Sequence, residues 1–188
     1  MKKLMVALAA VAMAVCAQAS QVDWKVTYNA ADDLTGSKAY LFNATDRANI
    51  LAALSDFSSA ADVTKYALTL DGSPNVLTGT GTWKQQMSKY QNSFSGGTVE
   101  GVSAANSVFA VIFDDSIAEG ATYYMSTDSA IADYVYEKGA GSPQTLAFAT
   151  AAFTTTGTIT GGGDVPEPTS AMLLLLGVAG LALKRRHA

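Results

Sequence analysis

Val108-Phe109-Ala110-Val111-Ile112-Phe113 is apolar at every position, which is the pattern of a short strand at the centre of a sheet rather than at its edge. The next residues, Asp114-Asp115-Ser116-Ile117-Ala118-Glu119-Gly120, are rich in turn formers and lead into Ala121-Thr122-Tyr123-Tyr124-Met125-Ser126. The two segments read as a hairpin. Tyr66-Ala67-Leu68-Thr69-Leu70 alternates around Leu68 and predicts a half-buried strand, closed by Asp71-Gly72-Ser73-Pro74. Further strands are expected at 24–28, 38–42, 76–83, 131–136 and 145–153, separated by Gly, Asp, Asn and Ser clusters. Spacing of this kind predicts a mainly β fold, an antiparallel, jelly-roll-like sandwich. One short surface helix is expected after Thr45 as its cap, with Ile50, Leu51, Leu54 and Phe57 on one face. No fixed-period repeat is visible, which argues against a solenoid or propeller.

Outward from this core the composition changes at both ends. The chain has 188 residues and a net charge of -4, yet every Trp, Tyr and Phe falls between Trp24 and Phe153. Met1-Lys2-Lys3, the apolar run from Leu4 to Val15 and the small-x-small end Ala17-Gln18-Ala19 form a secretory signal peptide over 1–19, cut before Ser20. The run is shorter than the ~20 residues a membrane span needs. Cys16 follows the branched Val15 rather than a small residue, which disfavours lipid modification, and no cysteine remains after the cut. The folded part is then 20–153, followed by a Thr/Gly-rich stretch over 154–164 that reads as a flexible tether. Its glycines lack the lysine and the strand-to-helix turn of a phosphate cradle.

The tail has three parts. Val165-Pro166-Glu167-Pro168-Thr169-Ser170 is held extended by its prolines, which suits docking into an enzyme cleft. Residues 171–183 are uncharged and apolar, long enough for roughly 20 Å of helix against a hydrocarbon core of ~30 Å, hence a short membrane helix. Lys184, Arg185 and Arg186 form a cytoplasmic stop, so the orientation is N-out, C-in. In this order and position the tail, residues 165–188, resembles the PEP-CTERM sorting domain. The resemblance implies export by a Gram-negative bacterium and recognition by exosortase, a membrane sorting transpeptidase, with Pro166, Glu167 and Pro168 as the recognised residues. An inner-membrane intermediate, and then the cell surface or extracellular matrix, would follow. Thr169-Ser170 stands where the commoner order is Ser-Thr, and His187-Ala188 extends past the basic run.

Chemistry is scarce in the middle. The only histidine is His187, so residues 20–165 offer neither imidazole nor thiol for nucleophilic catalysis or for the usual zinc sites. Carboxylate catalysis is left, with Glu100, Glu119, Glu137, Asp114, Asp115 and Asp133 as conceivable pairs for a small glycoside hydrolase. Acids beside turns are ordinarily solvated surface, and no catalytic residue is assigned. Asp32-Asp33 and Asp114-Asp115 could offer oxygens to calcium, but no calcium-loop spacing is present and no metal or cofactor is expected. Trp24, Trp83, Tyr123, Tyr124, Tyr134 and Tyr136 could stack on sugars, which makes a carbohydrate-binding module acting on an extracellular polysaccharide the principal alternative; core packing is the commoner use of alternating aromatics. With 7 basic against 15 acidic residues over 20–165, nucleic acid is excluded as a partner. The reading is an exported, non-enzymatic surface or matrix protein sorted through its tail.

Overall fold

The computed structural model describes residues 20–114, 116–141 and 144–161. Residues 1–19, the expected leader with Ala17 and Ala19, and those from 162 on, with the expected helix, lie outside them.

The described residues form thirteen strands: β1 (Ser20–Ala30), β2 (Lys38–Asn43), β3 (Thr69–Leu70), β4 (Ser73–Pro74), β5 (Val76–Thr78), β6 (Thr80–Lys84), β7 (Lys89–Glu100), β8 (Ser107–Phe113), β9 (Thr122–Ser126), β10 (Ser129–Ala130), β11 (Tyr136–Glu137), β12 (Thr145–Ala149) and β13 (Phe153–Thr158). Two helices, α1 (Arg47–Ser55) and α2 (Ala60–Thr64), follow β2. One sheet runs β11-β1-β7-β6, with β12 also on β1; the other runs β13-β9-β8-β2-β5, with β10 also on β8. The pairing is antiparallel except that β12 lies parallel to β1, from Asp23 beside Thr145 to Thr27 beside Ala149.

The apolar run that opened the sequence reading explains the layering. In β8 every residue from Val108 to Phe113 is buried. Val108, Ala110 and Ile112 share one cluster with Val22, Trp24, Val26, Phe94 and Val99 of the opposite sheet. Phe109, Val111 and Phe113 turn the other way and pack with Ile50 and Leu54 of α1 and Val63 of α2. The protein is thus three layers, sheet on sheet with helices on the second sheet's outer face, and β8 is covered on both sides. The hairpin to β9 is as expected, with Val111 opposite Met125 and Phe113 opposite Tyr123. Arg47 fixes α1 in place: its guanidinium lies 4.0 Å over the Phe109 ring, donates to the Ser126 carbonyl at 2.8 Å and pairs with Asp128.

Several boundaries differ from the expectation, each for a local reason. The helix forms, but Thr45 is inside a preceding 3-10 turn, Ala44–Asp46, and caps nothing; Asp46 precedes the helix without a side-chain cap bond. Of its four apolar positions Ile50 and Leu54 are buried, Leu51 faces water, and Phe57 lies past the helix end. The strand expected at 66–70 shrinks to β3. Tyr66 is in the turn after α2, Ala67 makes an isolated antiparallel bridge to Phe42, and Leu68 donates its N–H to the Leu41 carbonyl. The stretch 76–83 breaks at Gly79 into β5 and β6, which belong to different sheets. A Cβ at Gly79 would come within 2.7 Å of the Phe94 ring, so glycine is what lets the chain cross between layers. Residues 131–135 are turns rather than strand: Tyr134 donates back to the Ile131 carbonyl, and only Ile131 is fully buried. The stretch 145–153 splits at a 3-10 turn, Thr150–Ala152, where the chain changes sheet from β12 to β13.

β13 also occupies residues that the sequence reading gave to the tether. Phe153–Thr158 pairs along β9, Ile159 is buried, Thr160 donates to the Leu54 carbonyl, and Gly161 bridges to Phe57. β7, the longest strand, was not foreseen. Its inward residues Phe94, Gly97 and Val99 do not alternate, because the β1–β7 ladder slips between Trp24 and Val26. Gly97 sits opposite Trp24, and a Cβ there would come within 2.7 Å of the indole.

Candidate functional site

Ser20, the residue after the expected cut, is the first residue of β1. It pairs with Glu137, accepts the Gly101 N–H on its carbonyl and donates its hydroxyl to the Val102 carbonyl. At the other end of the sandwich lie Lys38, Thr78, Phe113, Thr122 and Thr158, linked in one register row across β2, β5, β8, β9 and β13 or one step from it. The last described residues, Ile159 to Gly161, follow Thr158 at this second end and are still bonded to the fold. Pro166, Glu167, Pro168, Lys184, Arg185 and Arg186 lie beyond, outside the described residues.

The polar groups near the first end form one cluster. Glu100 accepts from Lys138 at 2.6 Å and from Gln21 at 2.9 Å, while Lys138 also reaches Asp71 at 3.3 Å. The Lys138 ammonium and the Gln21 amide hold the Glu100 carboxyl below its ordinary value, and Glu100 in turn raises Lys138. A lowered carboxyl adds stability above its unfolded pKa and loses it as acid protonates the folded form; a raised lysine adds stability below about 10.5 and loses it in stronger base. The pair therefore supports the fold between these limits. Glu100→Gln is expected to lower the melting temperature at pH 7, with a deficit that shrinks as the pH is taken down through the lowered carboxyl, as read by calorimetry; a deficit that does not change with pH would mean that charge is not what the pair contributes.

Asp23, on the outer face of the first sheet, accepts from Thr98 and from the Tyr136 hydroxyl, both at 2.7 Å. Burial, then this hydrogen bond, pushes the Tyr136 phenol up to about 12. The shallow cleft there, about 230 Å³, is lined by Asp23, Lys25, Gly96 and Thr145. A larger one of about 440 Å³ lies between α1 and α2 and includes Asp56 and Asp62. Asp62 is bonded to Ser58 and Ser59 at 2.6 and 2.8 Å, which lowers its carboxyl.

Little of the expected chemistry is brought together. Of the six candidate acids, Asp133, Glu137 and Glu119 are exposed, Glu100 is paired with Lys138, Asp114 accepts from Ser37 at 3.3 Å, and Asp115 is outside the described residues. None of the five described acids lines either cleft. A glycosidase acid needs a raised carboxyl, and Glu100 and Asp62 are both moved down. Among the described residues no group of three or more acids, histidines or cysteines is gathered to hold a metal. The aromatics are mostly structural. Trp24 is fully buried and donates Nε1 to Asn75 at 2.8 Å, Tyr123 is nearly buried, and Tyr124 packs on Tyr28 with ring centres 4.9 Å apart. Tyr134 and Tyr136 are half-buried. Trp83 alone of the six is freely exposed, edge-on to Tyr90.

The sequence family defined as the PEP-CTERM protein-sorting motif matches residues 164–186, beginning three residues past the last described one. No curated protein and no solved structure matches the chain. The motif indicates an exported protein of Gram-negative type that passes through the membrane and is sorted through its C-terminal signal. The motif implies recognition by exosortase, itself a membrane protein.

Proposed function

We propose that the protein is a non-enzymatic surface or extracellular-matrix component, delivered by a cleaved leader and held, then processed, through its C-terminal signal. The observation that carries this reading is the placement of the matched segment. It begins at residue 164, three residues past Gly161, the last described residue, so the matched segment follows β13 and the residues Ile159 and Gly161 that tie it down in chain order. Three further features support it. Cleavage after Ala19 keeps all the described residues of β1, Ser20–Ala30. The apolar run over 171–183, followed by Lys184-Arg185-Arg186, suits a brief membrane stay with the fold outside. Asp62 in the larger cleft and Glu100 beside Lys138 both have lowered carboxyls, the opposite of what a general acid needs.

The test is made on cells. The full chain should become accessible to added protease at the cell surface or appear in the matrix, while a chain ended at Asp164 should collect in the periplasm. Equal distribution of the two forms would contradict a sorting role for the tail.

A further inference from the structure

We propose that the β6–β7 hairpin is a foot that rests on the membrane interface while the tail holds the chain there, with Trp83 and Met87 entering the headgroup region and Lys84 and Lys89 meeting lipid phosphate. The inference rests on the reading of the tail as a membrane segment.

Direction comes first. β5 runs toward Thr78, at the end of the sandwich from which the described chain departs through Thr158. Gly79 continues that ladder, donating to the Ser37 carbonyl and accepting from Gly36, and Gly81 donates to Thr35 Oγ1. β6 therefore carries on past the edge of the second sheet, with β7 returning beside it from Lys89. The hairpin and the chain's departure point thus share one end of the molecule. Residues 162–170, at about 3.4 Å each, can span at most roughly 30 Å before the apolar run begins. The projecting hairpin is within that reach of the bilayer surface.

Composition at the tip fits an interface. Trp83 and Met87 are 51% and 44% exposed, two of the four large hydrophobics that the described residues leave in water. Trp83 is on the inward-facing side of its sheet, in register with Tyr90, where the opposite sheet has already ended. Tryptophan with flanking lysine is the pairing that favours a membrane–water boundary. Residues 80–90 contain no acid, and neither Lys84 nor Lys89 is in an ion pair among the described residues. The same end also carries Asp32, Asp33, Asp114 and Glu119 in the loops behind. Asp33 packs at Gly81, three residues short of Lys84, and that stretch of strand is about 10 Å, comparable to the screening length at physiological salt. The hairpin holds the carboxylates that far from lipid phosphate.

The chain from Ser20 onward, tail included, is reconstituted into vesicles of phosphatidylglycerol and phosphatidylcholine containing brominated lipid. Trp24 and Trp83 are its two tryptophans, and Trp24 is sealed in the core. The expected result is flotation with the vesicles and loss of most of the Trp83 emission, with the Trp24 emission kept. Trp83→Phe should abolish the quenching. Lys84→Glu with Lys89→Glu should reduce it severalfold without changing flotation. Failure to float would overturn the tail reading and the foot with it. Flotation with Trp83 unquenched would overturn the foot alone, as would a Trp83 response to soluble acidic polysaccharide in place of lipid.

Discussion

Trp24→Ala is expected to remove about 3–5 kcal/mol of folding stability, a large part of the 5–15 kcal/mol that domains of this size possess. The indole is fully buried where the two sheets meet, opposite Gly97, whose missing side chain makes room for it. Truncation leaves a cavity that the surrounding strands cannot close, because the irregular register beside it already fixes β1 against β7. It also strands Asn75 Oδ1, the partner of the indole N–H. Trp24→Phe keeps most of the volume and loses the hydrogen bond, so it should cost clearly less. Gly97→Val should rival the alanine variant, since its branched side chain must occupy the indole's place. Urea unfolding of the full chain in mild detergent, followed by circular dichroism, ranks the three. A Trp24→Ala loss below about 1 kcal/mol would contradict the core as described.

The second large effect concerns the tail. Glu167→Ala is expected to leave the chain in the membrane fraction with its C-terminus uncut, reducing the processed product at least tenfold. Replacing Lys184, Arg185 and Arg186 together by Gln is expected to reduce processing as strongly but by another route. Each cation costs about 2.5–3.5 kcal/mol at the centre of a membrane span, so without all three the apolar run loses what stops it. Immunoblots of fractionated cells separate the cases: the first variant is retained and intact, the second is intact but no longer held. If both variants were processed normally, neither the motif nor the basic stop would have the role assigned to it.

The fold's class was legible because one strand declares it. Val108 to Phe113 is apolar on both faces, and the structure answers with a layer on each side. The run alone does not say what those layers are, since burial under helices and burial under strands leave the same residues apolar. The second sheet's partner strand β2 was also expected, at 38–42, whereas β7 was not. Its Ser95-Gly96-Gly97 looks like a turn, and the irregularity there moves Phe94 and Val99 out of step. Segments 76–83 and 145–153 each read as one strand because sequence patterns record burial, not which sheet receives the strand; Gly79 was the available signal for the first break. The tether was misplaced for a related reason. Thr154 to Thr158 is polar because β13 is an edge strand, not because it is unstructured. The sorting motif was legible, being a linear pattern whose meaning depends on order and composition rather than on folding. Trp83 was named for its chemistry, but its projection beyond the sandwich depends on how β5 continues into β6, which no local pattern encodes.

The central claim is that the tail is a signal to be recognised and removed, and the intact mass of the mature protein purified from its producing cells tests it most directly. The account predicts a chain that begins at Ser20 and lacks residues 171–188. A mature chain that still carries Lys184, Arg185 and Arg186 on most molecules would contradict it.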